Sequence, residues 1–190
     1  MFGGRCATLR SVHRHIAVIG TVAGLLVSGC GGGSTSGVSA GSYVKTVCTA
    51  VRDWAQQIEA RTDALNGATV ANATEGKAAI QKFLAAAVAD TRTATSRLKS
   101  AGTPAVTGGT EISDRLVSSF AQIEAALMRG QRQANALRAD DPTAFPSAGR
   151  ALGGEVQRAL SSLGSGLSGL RSPELAKAAQ NEPACALTRG

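Results

Sequence analysis

The feature that most restricts the fold is an apolar stripe that recurs every seven positions. From Ser42 the chain reads SYVKTVCTAVRDWAQQIEARTDAL, with Val44, Val51, Ile58 and Leu65 seven apart. Val47 or Cys48, Trp54 or Ala55, and Thr62 fill the turns between them. A period near 3.6 puts these side chains on one face of a helix, whereas a half-buried strand would alternate at every second residue. Ser42 is the expected N-cap, and Asn66-Gly67 the expected stop. Trp54 is the only Trp, and on such a stripe its expected role is a core plug.

The same pattern repeats down the chain. Asn72 followed by Glu75 makes a capping box that opens a second helix. Its seam is Ile80, Leu84, Ala87, Thr91, Ala94 or Thr95, and Leu98, flanked by Phe83 and Val88, and SAGTP ends it at Pro104. A third helix starts between Thr107 and Thr110, with Ile112, Leu116, Phe120, Ile123, Leu127, Ala134 and Leu137 in line. Gly130 lies on that stripe and permits close approach of a neighbour, at a propensity cost of about 1 kcal/mol relative to Ala. Asp140-Asp141-Pro142 then reads as a cap followed by proline at the first helical position. A fourth helix runs from Pro142 towards Leu170, carrying Phe145, Leu152, Val156, Ala159 or Leu160, Leu163, Leu167 and Leu170. Its many glycines should fray or bend the last turns. A short final helix follows at SPELAKAAQ, with Ser172 as cap and Pro173 at its first position.

The expected fold class is therefore all-α: an antiparallel up-down-up-down four-helix bundle with a short C-terminal helix. The bundle domain spans 42–190, about 150 residues, enough to bury close to 70% of its unfolded surface.

The first forty residues follow a different logic. Arg5, Arg10 and Arg14 precede a twelve-residue, largely apolar run from Ile16 to Val27. That layout describes a secretory signal peptide, and the run is shorter than the ~20 residues that span a bilayer. Val27, Ser28, Gly29 and Cys30 at its end resemble the lipobox of bacterial lipoproteins. The resemblance implies cleavage after residue 29, a diacylglyceryl group on the sulfur of Cys30, and a membrane anchor. The alternative is ordinary secretory cleavage with a chance Cys. Residues 30–41, CGGGSTSGVSAG, are uncharged and small and read as a lipidated Cys followed by a flexible tether.

Four cysteines are present. Cys6 leaves with the signal and Cys30 takes lipid, so Cys48 and Cys185 remain. In an oxidising compartment that pair suggests a disulfide, with two buried free thiols as the alternative. An even number of helices returns the chain to its starting end, which would bring Cys185 near Cys48.

The chain holds 20 Lys and Arg against 13 Asp and Glu. Setting aside the three arginines of the signal leaves a net charge of +4, with the arginines dispersed. Nucleic-acid binding asks for a concentrated basic face, often with stacking aromatics, and neither is present. Both histidines, His13 and His15, fall in the signal. The mature part then lacks Ser-His-Asp and Cys-His catalysis and the Glu-x-x-His pairs of di-metal bundles. Glu111 and Asp114 suit the start of a helix dipole. The glycine pair of VTGGTE lacks the lysine and spacing of a P-loop and reads as a turn. No catalytic, cofactor-binding or metal-ligating residue is expected.

YVKTVCTAVRDW, AGTPAV, DDPTAF and EPACALTRG together resemble a group of small secreted actinobacterial lipoproteins. The resemblance covers about residues 42–188 and implies location and fold, without functional residues. The expected protein is a non-enzymatic binding or interaction module at the cell envelope. It would sit on the outer face of the cytoplasmic membrane, held by its N-terminal lipid. Its partner would be a protein, a cell-wall component or an apolar ligand. The alternative is a carrier of a lipid or small apolar molecule, held in a groove left by the small residues of the fourth helix.

Overall fold

A computed structural model describes residues 37–141 and 172–188, together with positions 147, 150, 151, 153, 154, 157 and 158. The signal segment, Cys30 and most of the expected fourth helix at 142–170 lie outside the described residues. Those seven intervening positions are helical and exposed.

The described chain is all-α. It contains α1 (Ala40–Asn66), α2 (Ala73–Ser100), α3 (Gly109–Ala136), α4 (Pro173–Gln180) and a 3₁₀ helix (Pro183–Thr188), with no strand among the described residues. Helix α2 packs along both α1 and α3, while α4 and the 3₁₀ helix pack on α1.

Helix α1 begins at Ala40, with Ser39 rather than Ser42 as its cap: Ser39 Oγ accepts from the Ser42 N–H at 3.3 Å. The earlier start has a local cause. Val38 N donates to the Thr103 carbonyl and Ala105 N donates to the Val38 carbonyl, each at 2.8 Å. This one-residue bridge beside Pro104 fixes the backbone just ahead of the helix. Gly37 has to be glycine there, because a Cβ would sit 2.8 Å from the Thr103 oxygen. Residues 37–41, expected to belong to the tether, are part of the fold.

Helix α2 opens as its sequence dictates. Asn72 Oδ1 accepts from Glu75 N at 3.0 Å, and Glu75 Oε2 reaches back to the Ala71 N–H at 2.9 Å. Helix α3 has no side-chain cap. Gly108 enters it in the left-handed region, at φ +71°. At Gly109 a Cβ would overlap the Pro104 carbonyl oxygen, 2.0 Å away. The VTGGTE glycines are therefore turn chemistry. At the far end, Lys77 Nζ donates to the Leu137 carbonyl at 2.8 Å, tying the start of α2 to the end of α3.

The main core joins Ala50 and Trp54 of α1, Leu84, Ala87, Val88, Ala94 and Leu98 of α2, and Leu116, Phe120, Ile123, Leu127 and Ala134 of α3. Full burial of a Leu or Phe side chain contributes about 1.5–3 kcal/mol. Buried Gly130 lies on the α3 stripe. Thr91 and Thr95 are also buried on α2, and each donates its hydroxyl to the carbonyl one turn back, at 2.8 Å. A second cluster of Tyr43, Val44, Ala101, Leu175 and Cys185 gathers the N-terminal entry, the α2–α3 link and the C-terminal segment at one end.

Candidate functional site

Among the described residues, both cysteines are spoken for. Cys48 and Cys185 form a disulfide, with Cα atoms 5.0 Å apart. Helix α4 positions the second cysteine: Ser172 caps it, Pro173 starts it, and Leu175 buries against Tyr43 and Val44. Past Gln180 the chain turns into the 3₁₀ helix, which carries Cys185 onto α1. Among the described residues, no three His, Cys, Asp or Glu side chains converge as a metal would require. Glu111, in the first turn of α3, pairs with Arg115 one turn on.

Beside the disulfide, the Tyr43 hydroxyl is buried with no hydrogen bond of ordinary geometry. Burial pushes its pKa up, and nearby Ser113 partly offsets the shift. Ser113 donates its own hydroxyl to the Gly102 carbonyl at 3.1 Å. This end of the molecule is a structural lock.

The opposite end of the α1–α2 pair holds a groove. It is lined by Arg61, Ala64, Leu65 and Ala68 from one side and Ala79, Lys82, Phe83 and Ala86 from the other, with a cavity of about 280 Å³. Its origin is the alanine spacing. Ala64 of α1, Ala68 just past its end, and Ala79 and Ala86 of α2 carry only a methyl around this opening, so Leu65 and Phe83 stay partly exposed in it. Arg61 closes one side through a two-pronged ion pair with Asp90. Its Nε donates to Oδ2, and its Nη2 to Oδ1 at 3.0 Å. The Asp90 side chain is only 10% exposed, so the pair is anchored to α2, and the carboxylate further favours the Arg61 cation. Lys82 is exposed at the rim, and one turn away on its own helix it meets only alanines, at 78, 79, 85 and 86.

The groove was not anticipated from sequence. Small residues were expected to leave space in the fourth helix, most of which lies outside the described residues. The readable signal was the pair of alanine spacings at 64/68 and 79/86. That both face one gap depends on the register between α1 and α2, which no local pattern shows. Of the expected site residues, the structure brings Cys48 and Cys185 together, and Cys30 lies outside the described residues. No protein-family model matches this chain, and no curated protein or solved structure shows significant similarity to it.

Proposed function

We propose that this chain is an extracytoplasmic lipoprotein, anchored through Cys30, whose helical body serves as a non-enzymatic binding module. The leader layout and the VSGC sequence support the anchor, and the likeness to small actinobacterial lipoproteins points the same way. The observation that carries the binding reading is the polarity of the body. The chain enters at Val38, beside the α2–α3 link and the disulfide-held C-terminal segment, so structural fastenings fill that end. The groove lies at the other end of α1, from Arg61 to Ala68 just past its last turn, more than 20 residues from its start. At 1.5 Å per residue that is over ~30 Å away. A body tethered at residue 37 would hold its groove away from the bilayer.

The proposed bundle is completed by residues 142–170 as a fourth helix antiparallel to α3. The stretch must lead from the Leu137 end of α3 back to Ser172, beside the start of α1. A helix of ~30 residues is about 45 Å long and matches the ~42 Å of α3. The apolar spacing Leu152, Val156, Leu160, Leu163 and Leu167 would supply its inner face.

The test of the anchor is intact-mass analysis of the processed protein with fractionation of cells. The wild type should carry diacylglyceryl on residue 30 and sediment with membranes, and Cys30→Ala should not. Crosslinking on intact cells then tests binding. Capture of the same partner by the anchored protein, absent with Cys30→Ala, supports the module, and repeated recovery of nothing above that control overturns it.

A further inference from the structure

We propose that the α1–α2 groove binds a single-tailed anionic amphiphile, a medium-chain carboxylate, with its chain on the Leu65–Phe83 floor and its head group at Lys82. This deepens the binding-module reading and rests on it. Three observations select the ligand class.

The first is the lining. Leu65 and Phe83 are left half-covered beside the four alanines, and no acid lines the groove among the described residues. Val70, the one large apolar side chain left exposed among the described residues, lies two positions beyond Ala68 in the chain. Apolar surface open to water in a concave site is what an alkyl chain covers.

The second is size. About 280 Å³ is just below the range of ~300–1,000 Å³ typical of small-molecule sites. That is room for most of one alkyl tail and not for two side by side.

The third is charge. Asp90 already meets the Arg61 guanidinium, whereas Lys82 has no ion pair among the described residues and no acid within one turn of its own helix. An ammonium in the lining of an apolar groove attracts a carboxylate, gains only a weaker hydrogen bond from an alcohol and repels a quaternary ammonium. The selectivity is thus for the head group's sign as well as for the tail.

The experiment uses the full chain carrying Cys30→Ala, so that no acyl group of its own can occupy the groove. Titration calorimetry and native mass spectrometry would compare dodecanoate, dodecanol and dodecyltrimethylammonium below their micelle concentrations. One dodecanoate should bind per chain, dodecanol at least tenfold more weakly, and the cation not at all. Lys82→Glu, a change on an exposed side chain, should weaken dodecanoate at least tenfold and leave dodecanol unchanged. Ala86→Leu should fill the groove and abolish both. If Ala86→Leu does not fold, Lys82→Glu decides alone. Equal affinity for all three head groups, no effect of Lys82→Glu, or no saturable binding below ~1 mM would overturn the proposal. So would a dimer in light scattering that Val70→Asp disperses, since the face would then serve self-association. Because the anchor is absent throughout, failure here leaves the Cys30 reading standing, and loss of that reading leaves this result unaffected.

Discussion

Trp54 of α1 donates its indole N–H to Thr91 Oγ1 of α2 at 3.0 Å, and Thr91 donates in turn to the Ala87 carbonyl at 2.8 Å. The only Trp in the chain is thereby both a packing element and the donor of a buried polar contact between two helices. Thr91 is fully buried, so no water can replace it as acceptor.

Thr91→Val keeps the shape of the side chain and removes the acceptor. The buried Trp54 N–H is then unpaired, which costs about 1–3 kcal/mol. In a domain of this size that lowers Tm by roughly 2–4 °C per kcal/mol. Thr91→Ser keeps the hydroxyl and loses one methyl, a change of about 1 kcal/mol. Denaturant unfolding of the two variants checks the order; a Val variant more stable than the Ser variant would show that the hydrogen bond is dispensable.

The same Trp meets Phe120 of α3 edge to face, with ring centroids 5.1 Å apart and planes at 67°. Phe120 is completely buried. Phe120→Ala is expected to cost about 3–5 kcal/mol through lost burial and the cavity left behind. A cycle combining Phe120→Leu with Trp54→Leu should return a coupling of about 0.5–1.5 kcal/mol, the size expected of an aromatic pair beyond its area. A coupling near zero would mean that the two rings contribute to the core independently.

The disulfide closes a loop of 137 residues that contains nearly the whole fold. In the chain-entropy model such a loop stabilises by about 5 kcal/mol. Reductant should therefore lower Tm of the wild type markedly and leave a Cys48→Ala, Cys185→Ala double variant unchanged. Hydrogen exchange should show α4 and the 3₁₀ helix losing protection first, since the bond is their covalent tie to α1. Equal melting with and without reductant would contradict this.

Periodicity exposed most of the helical core because burial and the 3.6-residue repeat are the same fact seen twice. Leu84, Leu98, Leu116, Phe120, Ile123 and Leu127 were all on the expected stripes and are all buried. The Asn72 cap was legible because its partner stands three residues away in the sequence. What escaped depends on register between elements. Ser39 displaces Ser42 as cap only because Val38 is bridged to the 103–105 link, more than sixty residues on. Thr91 looked like an ordinary seam position until Trp54, 37 residues earlier, was placed opposite it. The α1–α2 groove was hidden for the same reason: an alanine signals small volume without saying what faces it.

Tyr43 is the chain's only tyrosine, so its titration can be followed directly by absorbance near 295 nm. Burial holds its folded pKa above the ordinary 10.0, with Ser113 offsetting part of the shift. A raised folded pKa means that above pH ~10 the native state holds a proton that the unfolded chain releases. Stability from this group is fully present below pH 10 and falls as pH rises through the folded pKa. The wild type should show a single phenol titrating later than free tyrosine, and the step should return to about 10 in denaturant. Tyr43→Phe should flatten the alkaline decline attributable to this group. At neutral pH it should leave stability unchanged or slightly higher, since it deletes a buried hydroxyl that lacks a well-formed hydrogen bond. A clear loss of stability in Tyr43→Phe at pH 7 would show that the hydroxyl has a partner in solution, with Ser113 the nearest candidate.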